Sequence, residues 1–436
     1  MPIWNAREES LDPEERAQLQ LERLQSTLNR ACKNVPFYRN RLQENGIEPA
    51  RVETIADLQH IPFATRDDLS ENYPYGLFAV PLRDVVRIHT APGSVLKPTV
   101  SGFTKQDLTI SRELVARALF AAGVAGQDIL QIDLDLGLMN WGQAYKDGAE
   151  LIESSVIPQT LLTPEKQLML LRDYKTSVLI TSHASATQLM HLAFRTNLNP
   201  NELALKTMIL VGEPPTPETQ QHLRDELHVT TWVHYGLSEV PGAALAFECE
   251  ARQGLHVSED HFLAEVIDPT DGKPVAEGEA GELVLTTLTT RAFPLVRFRT
   301  GDRVRLMPGL CPCGRTLTRL EWLADRTDDL MVIRGVKLHH QQITSLLQRA
   351  MGTLPAACRF LIRSEDLRDF LEVWLKVDEA IFSDEIKEME QLCLRLAREL
   401  MQELGIPVKI RLKEEGSFSS PQPPCCIEDL RRQNHG

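Results

Sequence analysis

The sequence predicts an α/β fold in two parts. A large N-terminal domain carries parallel α/β sheets plus an antiparallel β subdomain, and a small mobile α+β domain forms the C-terminus. Three observations predict this. Between residues 177 and 233, short apolar runs alternate with helical periods, the pattern of a parallel sheet covered on both faces. Past residue 255 the apolar period falls to two, with turn residues between the runs. A charged, glycine-punctuated junction, Phe298–Lys337, then precedes roughly a hundred residues, enough for a domain of their own. A chain of 436 residues also exceeds one typical core. The expected boundaries are 1–327 and 328–436.

Composition narrows the function classes. Hydrophobic residues at 42% and charged residues at 25% are those of a globular protein. With 47 basic and 61 acidic residues the net charge is -14, which argues against nucleic-acid binding. The first nine residues are polar and acidic, unlike a signal peptide, and no run approaches the ~18 apolar residues of a membrane span. Eight cysteines are sparse for this length, so no disulfide framework is expected and a reducing cytoplasm is the default compartment.

In order, Asp12-Pro13 opens a helix with a capping carboxylate and a first-turn proline. Ala17, Leu21, Leu24, Leu28, Ala31 and Val35 form its apolar stripe. Residues 50–88 carry short elements punctuated by Pro62, Pro74 and Pro81. A strand at 85–88 leads into the stretch His89–Val100, and Thr104 caps the next helix. Within that stretch Gly93, Ser94, Lys97 and Thr99 could wrap a phosphate, while Val95 and Leu96 at its tip suit a plain loop.

Strands at 178–181, 207–211 and 229–233 alternate with helices at 184–195 and from Thr216-Pro217 to Leu227. Such sheets bind ligands beyond the carboxyl ends of their strands. Two polar turns are expected there, Gly212-Glu213-Pro214 and His234-Tyr235-Gly236-Leu237-Ser238-Glu239. Glu239 could ligate Mg²⁺ and Tyr235 could stack on a flat ring. Equally, Ser238 could cap a helix above a solvated Glu239. Antiparallel strands follow at 262–267, 282–288, 295–299 and 303–306. Asp302 sits in a Thr-Gly-Asp turn, as a turn former or as a carboxylate for two sugar hydroxyls. The tail reads helix 340–351, strands 358–363 and 370–377, helix 383–404 and strand 408–412.

Cys311 and Cys313 flank one proline, and Cys249 and His256 lie upstream. Three thiolates and an imidazole would complete a tetrahedral structural zinc site, although the spacing also suits reduced surface cysteines. The adjacent Cys425 and Cys426 suit neither a shared metal nor a relaxed disulfide. Cys32, Cys358 and Cys393 read as core.

Taken together, Tyr235–Glu239, Gly254–Phe262, Gly281–Val284, Arg299–Asp302 and Arg326–Val336 resemble the adenylate-forming enzymes, and more narrowly the phenylacetate–coenzyme A ligases. The resemblance implies a two-step ligase using ATP/AMP, Mg²⁺ and coenzyme A, with a small carboxylic acid as substrate and a homodimer as an open expectation. It implies that Gly212, Glu213 and Pro214 line the adenine, Tyr235 to Ser238 hold the nucleotide, and Glu239 ligates Mg²⁺. It assigns Lys97 to the phosphate loop, Asp302 to the ribose and Arg326 to ribose or phosphate. The tail would pivot about Asp328-Asp329, bringing Arg334 and Gly335 to the coenzyme A channel. The cysteine–histidine quartet matches zinc positions of some relatives. Two departures stand out. Relatives have a phosphate loop rich in Ser, Thr and Gly, where this chain has Pro92, Val95 and Leu96. Relatives also carry a catalytic lysine shortly before a terminal Asp-Leu-Arg, and here Pro423 falls near that place. The alternative is a weakened paralogue that binds nucleotide or acyl-adenylate as a sensor or partner protein, or performs only the thioester step.

Overall fold

The computed structural model describes residues 3–91, 97–135, 138–158, 162–328, 330–334, 336–352, 357–365, 368–376, 386–413, 418 and 427–431. They fall into two compact units. One runs to Asp328, and the second takes the chain beyond it together with Lys97 and Asp135.

The first unit opens with α1 (Ala6–Glu9), α2 (Pro13–Asn34) and α3 (Pro36–Glu44). Asp12 caps α2 by accepting from the Glu14 backbone, with Pro13 in its first turn. Leu24, Leu28, Ala31 and Val35 are buried, but Ala17 is exposed. The buried face instead includes Gln20 and Thr27, which donate to the carbonyls of Glu259 and Leu288. Next comes α4 (Arg66–Glu71), whose capping box joins Thr65 to Asp68.

The hairpin of β1 (Arg87–Ala91) and β2 (Thr99–Phe103) precedes α5 (Lys105–Ala121). The expected strand at 85–88 therefore starts two residues late, because Val85 ends a 3-10 turn at 82–84. After it the alternation is β3 (Ile129–Asp133), α6 (Met139–Leu151), β4 (Ser155–Ile157), α7 (Pro164–Asp173), β5 (Val178–Thr181), α8 (His183–Arg195), β6 (Thr207–Leu210), α9 (Pro217–Leu227) and β7 (Thr230–Leu237). Strands β5 and β6 are buried at every residue, as a sheet covered on both faces requires.

The antiparallel strands are β8 (Gly242–Glu248), β9 (Leu255–Val257), β10 (Phe262–Ile267), β11 (Ala280–Thr287), β12 (Phe298–Met307) and β13 (Arg319–Arg326). They continue the parallel strands in one sheet of eleven, ordered β10-β11-β12-β13-β9-β8-β7-β6-β5-β3-β4. The change of direction falls at β7, which pairs parallel with β6 and antiparallel with β8.

This junction corrects two expectations. His234 to Leu237 are strand residues rather than a turn, because β8 supplies their pairing partners: His234↔Phe247, Tyr235↔Ala246 and Leu237↔Gly242. The register shift falls at Gly236, where a Cβ would come within 2.5 Å of the Gly242 carbonyl oxygen. Asp302 likewise belongs to a strand, opposite Arg326, just after the positive-φ Gly301. Ser238 caps no helix, since strand β8 follows.

The second unit holds β14 (Met331–Ile333), β15 (Val336–Leu338), α10 (His340–Met351), β16 (Cys358–Glu365), β17 (Arg368–Lys376), α11 (Ile386–Leu404), β18 (Val408–Lys413) and β19 (Ile427–Asp429). Its four-stranded sheet runs β18-β17-β16-β19, and Ile343, Leu347, Phe360, Leu371 and Leu396 form its core. Cys358 joins that core as expected. It is also disulfide-bonded, which the sparse cysteine count did not anticipate, whereas the other five described cysteines are free. No helix among the described residues is long and apolar enough to cross a membrane.

Candidate functional site

Strand order sets the site. Gly212, Glu213 and Pro214 come one residue after β6, and the parallel register Leu210↔Val233, continued, sets them level with Tyr235 to Leu237 of β7. Gly212 has a φ of +93°, and Leu138 packs so close that a Cβ there would meet its Cδ1 at 2.7 Å.

From β7 a polar network crosses to β12 and β13. Tyr235 is fully buried, meets Trp322 edge-on at 4.8 Å, and donates its hydroxyl to Asp302 Oδ2 at 2.8 Å. Burial first, and then the Asp302 charge, push its phenol well above the ordinary range. A ring so enclosed holds Asp302 rather than offering the stacking face expected of it. The other oxygen of Asp302 accepts from Arg326 Nη1. Arg326 also donates to Asp328 with Nε and Nη2, both at 2.7 Å, and to the Thr300 carbonyl at 2.9 Å. Burial alone would lower the Arg326 pKa, but Asp302 and Asp328 raise it overall, so it stays charged. Gly301 makes room for this convergence. Its φ is +72°, and a Cβ there would lie 2.1 Å from Asp328 Oδ2.

Sequence reasoning missed one member. Arg66, the first residue of α4, pairs with Glu239 Oε1 and donates to the Thr300 carbonyl at 3.0 Å. Its Nε lies 3.9 Å from Asp328. Thus Arg66 and Arg326 share one carbonyl and bracket three carboxylates, those of Glu239, Asp302 and Asp328. A signal existed: a basic residue in the first turn of a helix opposes the macrodipole, so something outside the helix must hold it there.

The structure brings Tyr235, Glu239, Asp302 and Arg326 together. Lys97 and Arg334 belong to the second unit, where Arg334 pairs with Asp135 at 2.6 Å. The phosphate-loop residues 92–96, Asp329, Gly335, Pro423 and the Cys425-Cys426 pair lie outside the described residues.

A second cluster lies on the far course of the same strands. Cys249 follows β8, His256 is in β9, and Cys311 and Cys313 are in the turn joining β12 to β13. Their ligand atoms all lie within 4.8 Å of one another. The Cys249 and Cys311 sulfurs are 3.5 Å apart, and Cys313 Sγ is 3.4 Å from His256 Nε2. His256 Nδ1 faces the Leu317 carbonyl at 3.4 Å, the arrangement that leaves Nε2 free for a metal. Burial raises the Cys313 thiol, but hydrogen bonds from His256, the Arg315 backbone and the Arg315 side chain outweigh it and bring it down to about 5. Burial and the neighbouring Cys311 push Cys249 up to about 12. Among ligand types, this thiolate-rich tetrad suits Zn²⁺.

Comparison with known proteins fits the geometry. Residues 134–289 match the AMP-binding enzyme family, and residues 335–422 match the AMP-binding enzyme C-terminal domain. A phenylacetate-coenzyme A ligase of Thermus thermophilus is 37% identical over 94% of each chain. The Escherichia coli phenylacetate-coenzyme A ligase is 34% identical over 97% of this chain and 98% of its own. In fold, the chain is similar to the crystal structure of 2-hydroxyisobutyryl-CoA ligase in complex with 2-HIB-AMP and CoA, with a TM-score of 0.89 at 22% identity over 98% of this chain and 92% of that one. The chain belongs to the phenylacetate–coenzyme A ligase family of adenylate-forming, AMP-binding enzymes.

Proposed function

We propose that the chain activates an aryl or other small carboxylic acid with ATP and transfers the acyl group to coenzyme A. The carboxylate attacks the α-phosphorus, pyrophosphate leaves, and the coenzyme A thiol then displaces AMP. The names of the full-length relatives support this reading. The observation that carries it is the pinned carboxylate of Asp302. Tyr235 and Arg326 each occupy one of its oxygens. Each oxygen keeps a second lone pair, so the pair can accept two adjacent sugar hydroxyls without reorienting.

On this reading Arg326 orients Asp302 and meets the ribose or phosphate. Gly212, Glu213 and Pro214 line the adenine, and Tyr235 to Ser238 back the nucleotide. Lys97 neutralises phosphate charge, the tail pivots about Asp328-Asp329, and Arg334 and Gly335 serve the coenzyme A channel. Phosphoryl chemistry of this kind depends on positioning and charge neutralisation. The carboxylate assigned to Mg²⁺, Glu239, already pairs with Arg66, so the ion would rest mainly on nucleotide phosphates. The tetrad of Cys249, His256, Cys311 and Cys313 fits a structural Zn²⁺. We place the enzyme in the cytoplasm, and light scattering reads whether it forms a homodimer.

The test is pyrophosphate release across a panel of carboxylic acids, with thioester formation followed by mass spectrometry. Release with at least one acid is expected; none at high enzyme concentration overturns the reading. One observation favours a second reading. Pro423 falls near the place of the tail lysine, which relatives need mainly for the first step, and Val95-Leu96 stand in a stretch whose equivalent in relatives is rich in Ser, Thr and Gly. In that case a synthetic acyl-adenylate with coenzyme A gives thioester although ATP with free acid gives none. AMP binding without either turnover indicates a sensor or partner protein.

A further inference from the structure

We propose that Arg315 and Glu9 are positioning residues of the Cys249/His256/Cys311/Cys313 site, and that a metal bound there clasps the N-terminal segment 5–16 onto the body of the first unit. This rests on the zinc reading above.

Arg315 stands two residues beyond Cys313 and is 1% exposed. Its guanidinium works in two directions. Nη1 donates to Cys313 Sγ at 3.7 Å, and Nε donates to Glu9 Oε2 at 2.5 Å. Glu9 has no exposed surface, and its second oxygen accepts from the Asn5 backbone at 2.8 Å. The half-buried Cys313 sulfur and the buried guanidinium and carboxylate therefore run in line from the tetrad to α1. Thiolates bound to a divalent ion retain negative charge, and a fixed N–H donor at sulfur stabilises and orients them. The carboxylate of Glu9 holds the donor in place and offsets its charge.

The same turn stitches further into the N-terminus. The Thr316 backbone donates to the Glu9 carbonyl at 3.1 Å, and its hydroxyl donates to the Leu11 carbonyl at 2.6 Å. Arg16 Nη1 donates back to the Thr316 carbonyl at 2.7 Å. What holds this segment is polar rather than apolar. Helix α1 has four residues, too few to stand alone, and Glu9 is its one buried residue. The Oε2 atom and the carbonyl of Glu9 find their partners in the 311–316 turn, which lies between β12 and β13 and contains two of the four candidate ligands, while its Oε1 also lies 3.9 Å from Arg117 of α5. Fixing the turn with a metal fixes the partners of α1. By reciprocity, holding α1 in place preorganises the ligands.

The experiment measures zinc content by elemental analysis, zinc affinity by competition with a chromophoric chelator, and amide exchange with and without chelator. The full chain and the variants Glu9→Gln, Arg315→Gln, Arg315→Lys and Arg16→Gln are compared, with folding checked by circular dichroism. Expected are one zinc per chain, a 10- to 100-fold weaker affinity for Arg315→Gln and Glu9→Gln, and an intermediate loss for Arg315→Lys, which keeps the charge but not the fork. Arg16→Gln, which touches the turn but not the Cys313–Arg315–Glu9 line, loosens residues 5–16 and by the same reciprocity weakens zinc binding, but only by a few fold. Chelation of the unaltered protein accelerates exchange over residues 5–16. Zinc affinity unchanged within threefold in both Arg315→Gln and Glu9→Gln overturns the positioning role, and full protection of 5–16 after metal removal overturns the clasp. A protein that takes up no zinc overturns the zinc reading itself and this proposal with it.

Discussion

Arg66→Gln isolates the buried ion pair that ties α4 to Glu239. Glu239 is 2% exposed, and Arg66 is its partner cation. Removing one member of a buried pair leaves an uncompensated charge, which costs about 3–5 kcal/mol. Arg66 is 12% exposed at its side chain, so some water reaches the pair and the lower end applies. The lost bond to the Thr300 carbonyl adds about 1 kcal/mol. The expected destabilisation is about 3–4 kcal/mol. Glu239→Gln alone is milder, and the double variant Arg66→Gln/Glu239→Gln exceeds it by only about 1 kcal/mol, the lost Thr300 bond, because the neutral amide no longer needs its cation. The coupling energy is then about 2–3 kcal/mol. The assay is urea unfolding followed by tryptophan fluorescence. It reports chiefly on the first unit, which holds Trp4, Trp141, Trp232 and Trp322 against Trp374 in the second. A sum of single effects within about 0.5 kcal/mol of the double variant refutes the reasoning, since independent sites behave that way.

Three further outcomes follow from the same geometry. Gly301→Ala drives a methyl group into the Arg326–Asp328 pair at a positive φ, so AMP affinity falls at least tenfold by calorimetry while the circular dichroism spectrum is retained. Tyr235→Phe keeps the packing on Trp322 but strips Asp302 Oδ2 of its donor; AMP binding weakens by about 1–2 kcal/mol, and unchanged binding discounts the orienting role. Burial lowers His234 to about 3, so the native imidazole stays neutral while the unfolded chain protonates near 6.5. The stability it confers is therefore complete above pH 6.5 and drains away as pH falls toward 3, amounting to about 2 kcal/mol between pH 7 and 5. His234→Gln flattens that slope in urea titrations, and equal slopes in the two proteins count against it.

What could be read from the chain and what could not divides along one physical line. Local periodicity places α2, β5, β6 and α9, because each buries a face its own residues specify. The residue types of Cys249, His256, Cys311 and Cys313 singled out four side chains that the fold does bring together, and a motif set singled out Asp302, Arg326 and Glu239, which converge through Arg66 and the Thr300 carbonyl. The misreadings at 234–237 and 302 share a cause. Glycine beside polar residues reads as a turn, yet here each glycine lies in a bulge, Gly236 against β8 and Gly301 against β11, and its strand identity is imposed by the partner strand. For β7 that partner is β8, a small-residue run, Gly242–Glu248, with no alternation to announce it and burial at all but its last residue. Arg66 illustrates the stronger limit. It lies 173 residues from Glu239, and α4 accounts for it locally as one residue of a capped turn. Only its unfavourable charge at a helix start hints at a distant carboxylate. Glu9 carries no hint at all, since acidic residues near the start of the chain read as solvated surface until the turn between β12 and β13 delivers Arg315 to them. Elements follow from nearest neighbours, whereas the charges that make a site are buried by register, and register belongs to the whole sheet.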